Sequence, residues 1–340
     1  MKIQKVDGLY RKPRLHAHTK VPLLLWAFLV IVPSCLLLLL LLKTSVLQDQ
    51  LVPETLSIRK KSVRLVVVGD VACAQSDPNF NDGNGVINAC KQKDVGYAIE
   101  NENADAVLFL GDIQYMTGDY VDYERSFIPY FRDIKAPVYS VAGNHDYGNG
   151  QRTPDLIGYK KAFDLYFTRP LYEKDSKTYF NFNLASWQFY ALDSNCEYVG
   201  GCDTESPQYQ WLSNNLTSSL CSVGVWHHPT ATSGTHRGPD DTSRAKAMEA
   251  LLLENGTDII LNGHDHHYER ITRGSAREFI VGTGGMSLRK TYAPLAEGTE
   301  KIIDDSFGYL YLELYPGRYE WKFRNTVGDV LDEGTSGCGK

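Results

Sequence analysis

Five short apolar runs, each stopped by a polar cluster, dominate the folding possibilities of this chain. They are RLVVVGD (64–70), AVLFLGD (106–112), PVYSVAGNHD (137–146), SVGVWHH (222–228) and DIILNGHDH (258–266). Continuous apolar runs of this length read as strands buried on both faces. Helical stretches fall between some of them, at 94–101, 207–216 and 242–254. The segment 176–193 reads as an antiparallel hairpin, and EFIVGTG (278–284), GYLYLELY (308–315) and RYEWKFR (318–324) add strands. The mixture implies an α/β sandwich with mixed sheets. One domain is expected over 62–327, followed by a loose tail, 328–340, tied down by Cys338.

Every one of the five runs ends in a residue that can bind a metal. Ligands of open α/β sheets gather outside the carboxyl ends of the strands. Asp70, Asp112, Asn144, His227 and the pair His264/His266 should therefore converge. The histidines agree with this. Of nine, His16 and His18 lie in the N-terminal tail, and the other seven lie in or just after these strand ends. Aspartate, asparagine and imidazole suit Fe, Zn and Mn. So many donors suit two ions sharing a bridging carboxylate, roughly 3.5–4 Å apart, as in phosphoryl displacement. His264 and His266 are spaced so that each reaches one ion, with Gly263 letting the backbone turn tightly. His267 and Asp265 read as loop polar groups that can buttress a ligand. GTGG (282–285) reads as close backbone packing, and YERSFIPYF (123–131) as core.

Residues 21–42 carry no charge, long enough at roughly 1.5 Å per residue to span a bilayer. A secretory signal peptide ranks lower, because no small-residue cleavage pattern follows. The preceding 1–20 carry six Lys or Arg against one acid, so the positive-inside rule keeps them in the cytosol. The expectation is a type II single-pass membrane protein with a stalk at 43–61 and the rest lumenal or extracellular, in the secretory pathway or at the plasma membrane. Six cysteines outside the span suit disulfides, Cys196–Cys202 first and Cys73–Cys90 second, and sequons stand at Asn215 and Asn255. The net charge is −6; the tail holds +5 and the stalk +2, leaving −13 for 62–340. That balance argues against nucleic-acid binding.

The blocks GD (69–70), GDIQY (111–115), GNHD (143–146), HHP (227–229) and GHDH (263–266) resemble the calcineurin-like metallophosphoesterases, and the tyrosine of GDIQY resembles their purple acid phosphatase branch. The likeness covers about 64–285. It implies a four-layer α-β-β-α sandwich with two mixed β-sheets, following the N-terminal transmembrane helix. It implies that Asp70, Tyr115 and His266 bind one metal, that Asn144, His227 and His264 bind the other, and that Asp112 bridges them. A phenolate from Tyr115 favours Fe(III), with Zn(II), Fe(II) or Mn(II) beside it. His145 and His236 would face the substrate phosphate. Two features depart from the pattern. DVA (70–72) replaces Asp-x-Gly, which changes the turn after Asp70, and VWHH leaves His228 as a rival to His227 for the fourth block.

The activity so implied is hydrolysis of phosphate monoesters by metal-bound hydroxide, without a covalent intermediate. Phosphodiesters of nucleotides or lipid headgroups are the alternative substrate, and an inactive tethered binding module is the remaining alternative. Substrate choice is expected in the loops at 148–158 and 229–241.

Overall fold

The computed structural model describes residues 62–150, 156–167, 177–217 and 221–339. The first three apolar runs form β1 (Val63–Val68), β2 (Ala106–Phe109) and β3 (Val138–Ser140), paired in parallel in that order. The expected hairpin is β4 (Phe180–Leu184) with β5 (Trp187–Ala191). The last two runs form β6 (Cys221–Val225) and β7 (Ile259–Asn262), again parallel. Then come β8 (Tyr268–Arg273), β9 (Ala276–Val281), β10 (Thr299–Ile303), β11 (Gly308–Tyr315), β12 (Arg318–Asn325) and β13 (Val330–Gly337).

Two mixed sheets result, ordered β13-β12-β11-β1-β2-β3 and β10-β8-β9-β7-β6-β5-β4. The first runs parallel from β1 to its β3 edge and antiparallel on the β11–β13 side, while the second is parallel from β9 to β5 and antiparallel at both edges. Aromatic pairs join the sheets face to face: Tyr139 stacks on Phe182 at 4.0 Å, Tyr268 on Phe323 at 4.2 Å, and Trp187 meets Tyr319 edge-on. Strand alternation sorts the second sheet into two faces. Phe189, Val223, Ile259 and Leu261 belong to the core shared with the first sheet. Tyr190, Trp226 and Ile260 instead meet Leu212 of a helix at Pro207–Asn215 and Met248 and Leu252 of one at Lys246–Glu254. On the first sheet, Phe109 packs against Phe127, Phe131 and Phe163 from helical segments over 120–131 and Ile157–Tyr166. The 123–131 segment is thus core, as its composition suggested.

The residues expected as a loose tail are an edge strand instead. β13 pairs with β12 from Val330 to Gly337. Its side chains are largely exposed, so backbone hydrogen bonds rather than a buried face define it. The helix expected at 242–254 is also interrupted, ending one turn at Thr242 and restarting at Lys246.

Among the described residues, three disulfides link Cys73–Cys90, Cys196–Cys202 and Cys221–Cys338. They suit an oxidising secretory or extracellular compartment. The last closes a separation of 117 residues and fastens the end of β13 to β6. Replacing both of its cysteines by Ser should cost on the order of 4 kcal/mol through loop entropy. Denaturant unfolding of oxidised chains measures this; an unchanged midpoint would contradict it. No helix among the described residues is long and apolar enough to cross a membrane. The expected tail 1–20, span 21–42 and stalk 43–61 lie outside the described residues.

Candidate metal centre

The carboxyl ends of β1, β2, β3, β6 and β7 open on one side of the sandwich, where backbone hydrogen bonds stitch their turns together. Asp70 N–H donates to the Gly111 carbonyl (3.1 Å), Val71 N–H to that of Asp112 (2.9 Å) and Gly263 N–H to that of His227 (3.0 Å). Three residues of the expected site, Asp70, Asp112 and His264, have left-handed backbone, with φ of 60°, 50° and 70°. Non-glycine residues rarely adopt it, and such strain clusters at functional sites. Gly263 does not supply the tight turn expected of it; His264 takes the left-handed step. Gly263 is small because a Cβ there would lie 2.7 Å from Asp70 Oδ2. The DVA turn is accommodated: Ala72 is buried and its N–H bonds the Ile113 carbonyl at 3.0 Å.

The structure brings all seven expected donors to one place. Around the Tyr115 hydroxyl lie Asp70 Oδ1 at 2.8 Å, Asp112 Oδ2 at 2.9 Å and His266 Nε2 at 3.0 Å. A phenol has one proton and cannot serve both carboxylates, whereas a cation among these four atoms would. His227 Nε2 stands on the other side of Asp112, 3.3 Å from Oδ2, and His264 is ring-to-ring with His227 at 5.0 Å. Three buried atoms of the expected ligands lack hydrogen-bond partners, Asn144 Oδ1, His227 Nε2 and His264 Nε2. For the first two the opposite atom is held: His227 Nδ1 donates to the Leu110 carbonyl (2.8 Å) and Asn144 Nδ2 to Asn149 Oδ1 (3.0 Å). Such outside partners fix which atom a ligand presents. Unpaired buried polar atoms are costly, and cations would satisfy them. The donor set therefore fits two ions sharing Asp112.

Between His227 and His228, geometry separates the roles. His227 turns its free nitrogen to Asp112, while His228 bonds the Ser194 hydroxyl through Nδ1 at 2.7 Å. His228 still lines the cleft, with its ring 4.3 Å from that of His264.

Electrostatics mark the cage as a place for positive charge. Burial pushes Asp70 up to about 7, against the pull of His227. Burial also disfavours the Asp112 carboxylate, yet His227 and His145 hold it well below its ordinary range. Burial and then the two carboxylates raise Tyr115 well above its usual value. His227 is raised to about 9, its burial outweighed by Asp112, while burial lowers His264 to about 4.

Over the cage opens a cleft of about 510 Å³. Both expected phosphate-facing histidines line it. His145 packs over Tyr115 at 4.1 Å and donates from Nδ1 to the Met116 carbonyl (2.7 Å), while Nε2 lies 3.9 Å from Asp112 Oδ2. His236 is 3.0 Å through Nδ1 from Asp265 Oδ1 and 3.3 Å through Nε2 from Arg289. Asp265, expected as a loop group able to buttress a ligand, straps this wall: it also accepts from Thr232 and from the Thr235 and His236 N–H groups. Glu269 fastens the same loop through Ser233, and His267 bonds Glu269 rather than facing the cleft. Arg244, Arg289, Glu197 and Asp241 also line the cleft and had no signal in the sequence beyond charge.

The calcineurin-like phosphoesterase family model matches residues 63–268. Purple acid phosphatase 15 of Arabidopsis thaliana is 33% identical over 169 residues, 44% of this chain and 30% of that protein. The chain thus spans under a third of the plant relative's length. Tartrate-resistant acid phosphatase type 5 of Homo sapiens is 26% identical over 301 residues, 79% of this chain and 89% of that protein. A purple acid phosphatase from yellow lupin seeds, PPD1, shares the fold with a TM-score of 0.63 at 18% identity, over 81% of this chain and 54% of that one. With more than half of its length matched by the family model, the chain belongs to the calcineurin-like phosphoesterase family.

Proposed function

We propose that this chain hydrolyses phosphate monoesters at a pair of cations, in the manner of the purple acid phosphatases. The observation that carries this reading is the cage itself: seven donors from five strand ends, three of whose buried atoms have no hydrogen-bond partner in the protein. Asp70, Tyr115 and His266 would hold one ion, Asn144, His227 and His264 the other, with Asp112 between. Fe(III) suits the tyrosine side and Zn(II), Fe(II) or Mn(II) the second. Such a pair, when bound, offsets phosphate charge and acidifies water toward a nucleophile near neutral pH.

The chain's own residues supply the remainder. His145 lines the cleft with Nδ1 tied to the Met116 carbonyl, so its Nε2, beside Asp112, would be the atom to meet a phosphate oxygen or the departing alcohol. His236 flanks the opposite wall, held by Asp265. The polar lining favours a charged ester over a lipid tail, and the acid phosphatase names of the relatives support a monoester. The uncharged run at 21–42, its basic flank and the three disulfides support a type II topology with the domain lumenal or extracellular.

Elemental analysis and an absorption spectrum of the full chain in detergent test the centre. Two ions per chain, with a visible band from tyrosinate on ferric iron, are expected; a metal-free, active chain would overturn the reading. Stripping the ions with chelator should abolish hydrolysis of an aryl phosphate. It should also lower stability by about 4 kcal/mol relative to a thousandfold excess of metal over its Kd. Aryl mono- and diesters compared side by side decide the ester class.

A further inference from the structure

The three ligand histidines differ in what holds their outer nitrogen. His227 has a carbonyl on Nδ1, and His266 has the Ser287 hydroxyl on Nδ1 at 2.8 Å. Both present Nε2 to the cage. His264 is reversed: its Nε2 lies 3.5 Å from a carboxylate oxygen, Asp241 Oδ1. That contact is longer than the bonds behind His227 and His266, and Nε2 has no closer partner; a proton on Nε2 shared with Asp241 would leave Nδ1 for a cation. Asp241 stands on a single helical turn, Pro239–Thr242, at the rim of the cleft. Arg244 steadies it from behind, 3.9 Å away through Nε, and is itself held to Glu197 at 2.7 Å. His236 closes the other side of the His264 ring at 4.1 Å.

We propose that Asp241 is the positioning residue of the second cation. Its carboxylate fixes His264 in the orientation that offers Nδ1 and strengthens that nitrogen as a donor. A carboxylate behind a ligand imidazole raises its basicity more than a carbonyl or hydroxyl does. The second site, whose other donors are neutral apart from the shared Asp112, then owes much of its affinity to a residue that touches no metal. This inference rests on the dinuclear reading.

The test titrates Zn(II) into the full chain, depleted of its second ion, by calorimetry. Asp241→Asn should weaken the second ion by about 10–100-fold, the usual range for such partners, and leave the first ion's content unchanged. Asp241→Glu should recover part of the loss. Asp240→Asn, which removes the same charge from the exposed side of the turn, should bind as the parent does. With saturating Zn(II), Asp241→Asn should regain most of the parent's kcat. Equal affinity in parent and Asp241→Asn would overturn the inference, as would the same loss in Asp240→Asn. A loss far beyond a thousandfold would make Asp241 a direct ligand and also overturn it. If the parent binds fewer than two ions, the dinuclear reading itself fails, and the two failures stay distinct.

Discussion

Asp112→Asn is expected to lower kcat/KM for an aryl phosphate by about a thousandfold or more, with the fold intact. The carboxylate is buried and central: Oδ1 accepts from the His145 N–H at 2.8 Å, and Oδ2 faces both the Tyr115 hydroxyl and His227 Nε2. Asparagine has the same shape, so packing and the left-handed backbone are preserved. It has no charge to share between two cations, however, and its amide must point a donor somewhere. Toward His145 it would meet another N–H; toward Tyr115 and His227 it would present hydrogens where lone pairs are needed. A thousandfold loss corresponds to about 4 kcal/mol of transition-state stabilisation. Circular dichroism should match the parent, and elemental analysis should find less than two ions per chain. Undiminished turnover with two bound ions would remove Asp112 from the bridging position.

The central strands and the donors that follow them were legible because both obey one constraint. A strand covered on two faces has no position for a polar side chain, so its polar residues wait until it ends. Side chains at five such ends face one another once the sheets stack. Where that constraint lapses, the sequence falls silent. β10 and β13 alternate weakly or not at all, and their partners are backbone groups, which composition does not encode. The walls of the cleft were hidden for a different reason. Asp265 straps His236, Asp241 backs His264 and Asp146 takes the N–H groups of Ile113 and Gly143. Each is an ordinary loop aspartate until the loops are in place. Gly263 was legible as necessary but not in its reason, since the oxygen it must clear belongs to a residue almost two hundred positions away.

Gly143→Ala should be nearly as damaging as loss of the bridging charge, although it adds one methyl group and removes nothing. A Cβ at 143 would lie 2.0 Å from Asp112 Oδ1 and 2.3 Å from the Asp112 nitrogen. Neither side can yield cheaply. The Gly143 N–H is anchored to Asp146 Oδ2 at 2.9 Å, and Asp146 also binds the Ile113 N–H and the Tyr123 hydroxyl. The methyl therefore displaces the Asp112 carboxylate, or pulls apart the turns that carry Asp112 and Asn144. A misplacement of about 1 Å in such a site costs on the order of a hundredfold in rate. Overpacking adds roughly 1–3 kcal/mol of destabilisation. Activity should fall about a hundredfold or more, the ion content should drop, and the unfolding midpoint should fall only partway. Gly238→Ala, where a Cβ meets nothing within 4 Å, is the matching control and should leave activity near the parent's. A Gly143→Ala chain with two ions and parental turnover would mean that the carboxylate has room to move, and a bridge between two cations has none.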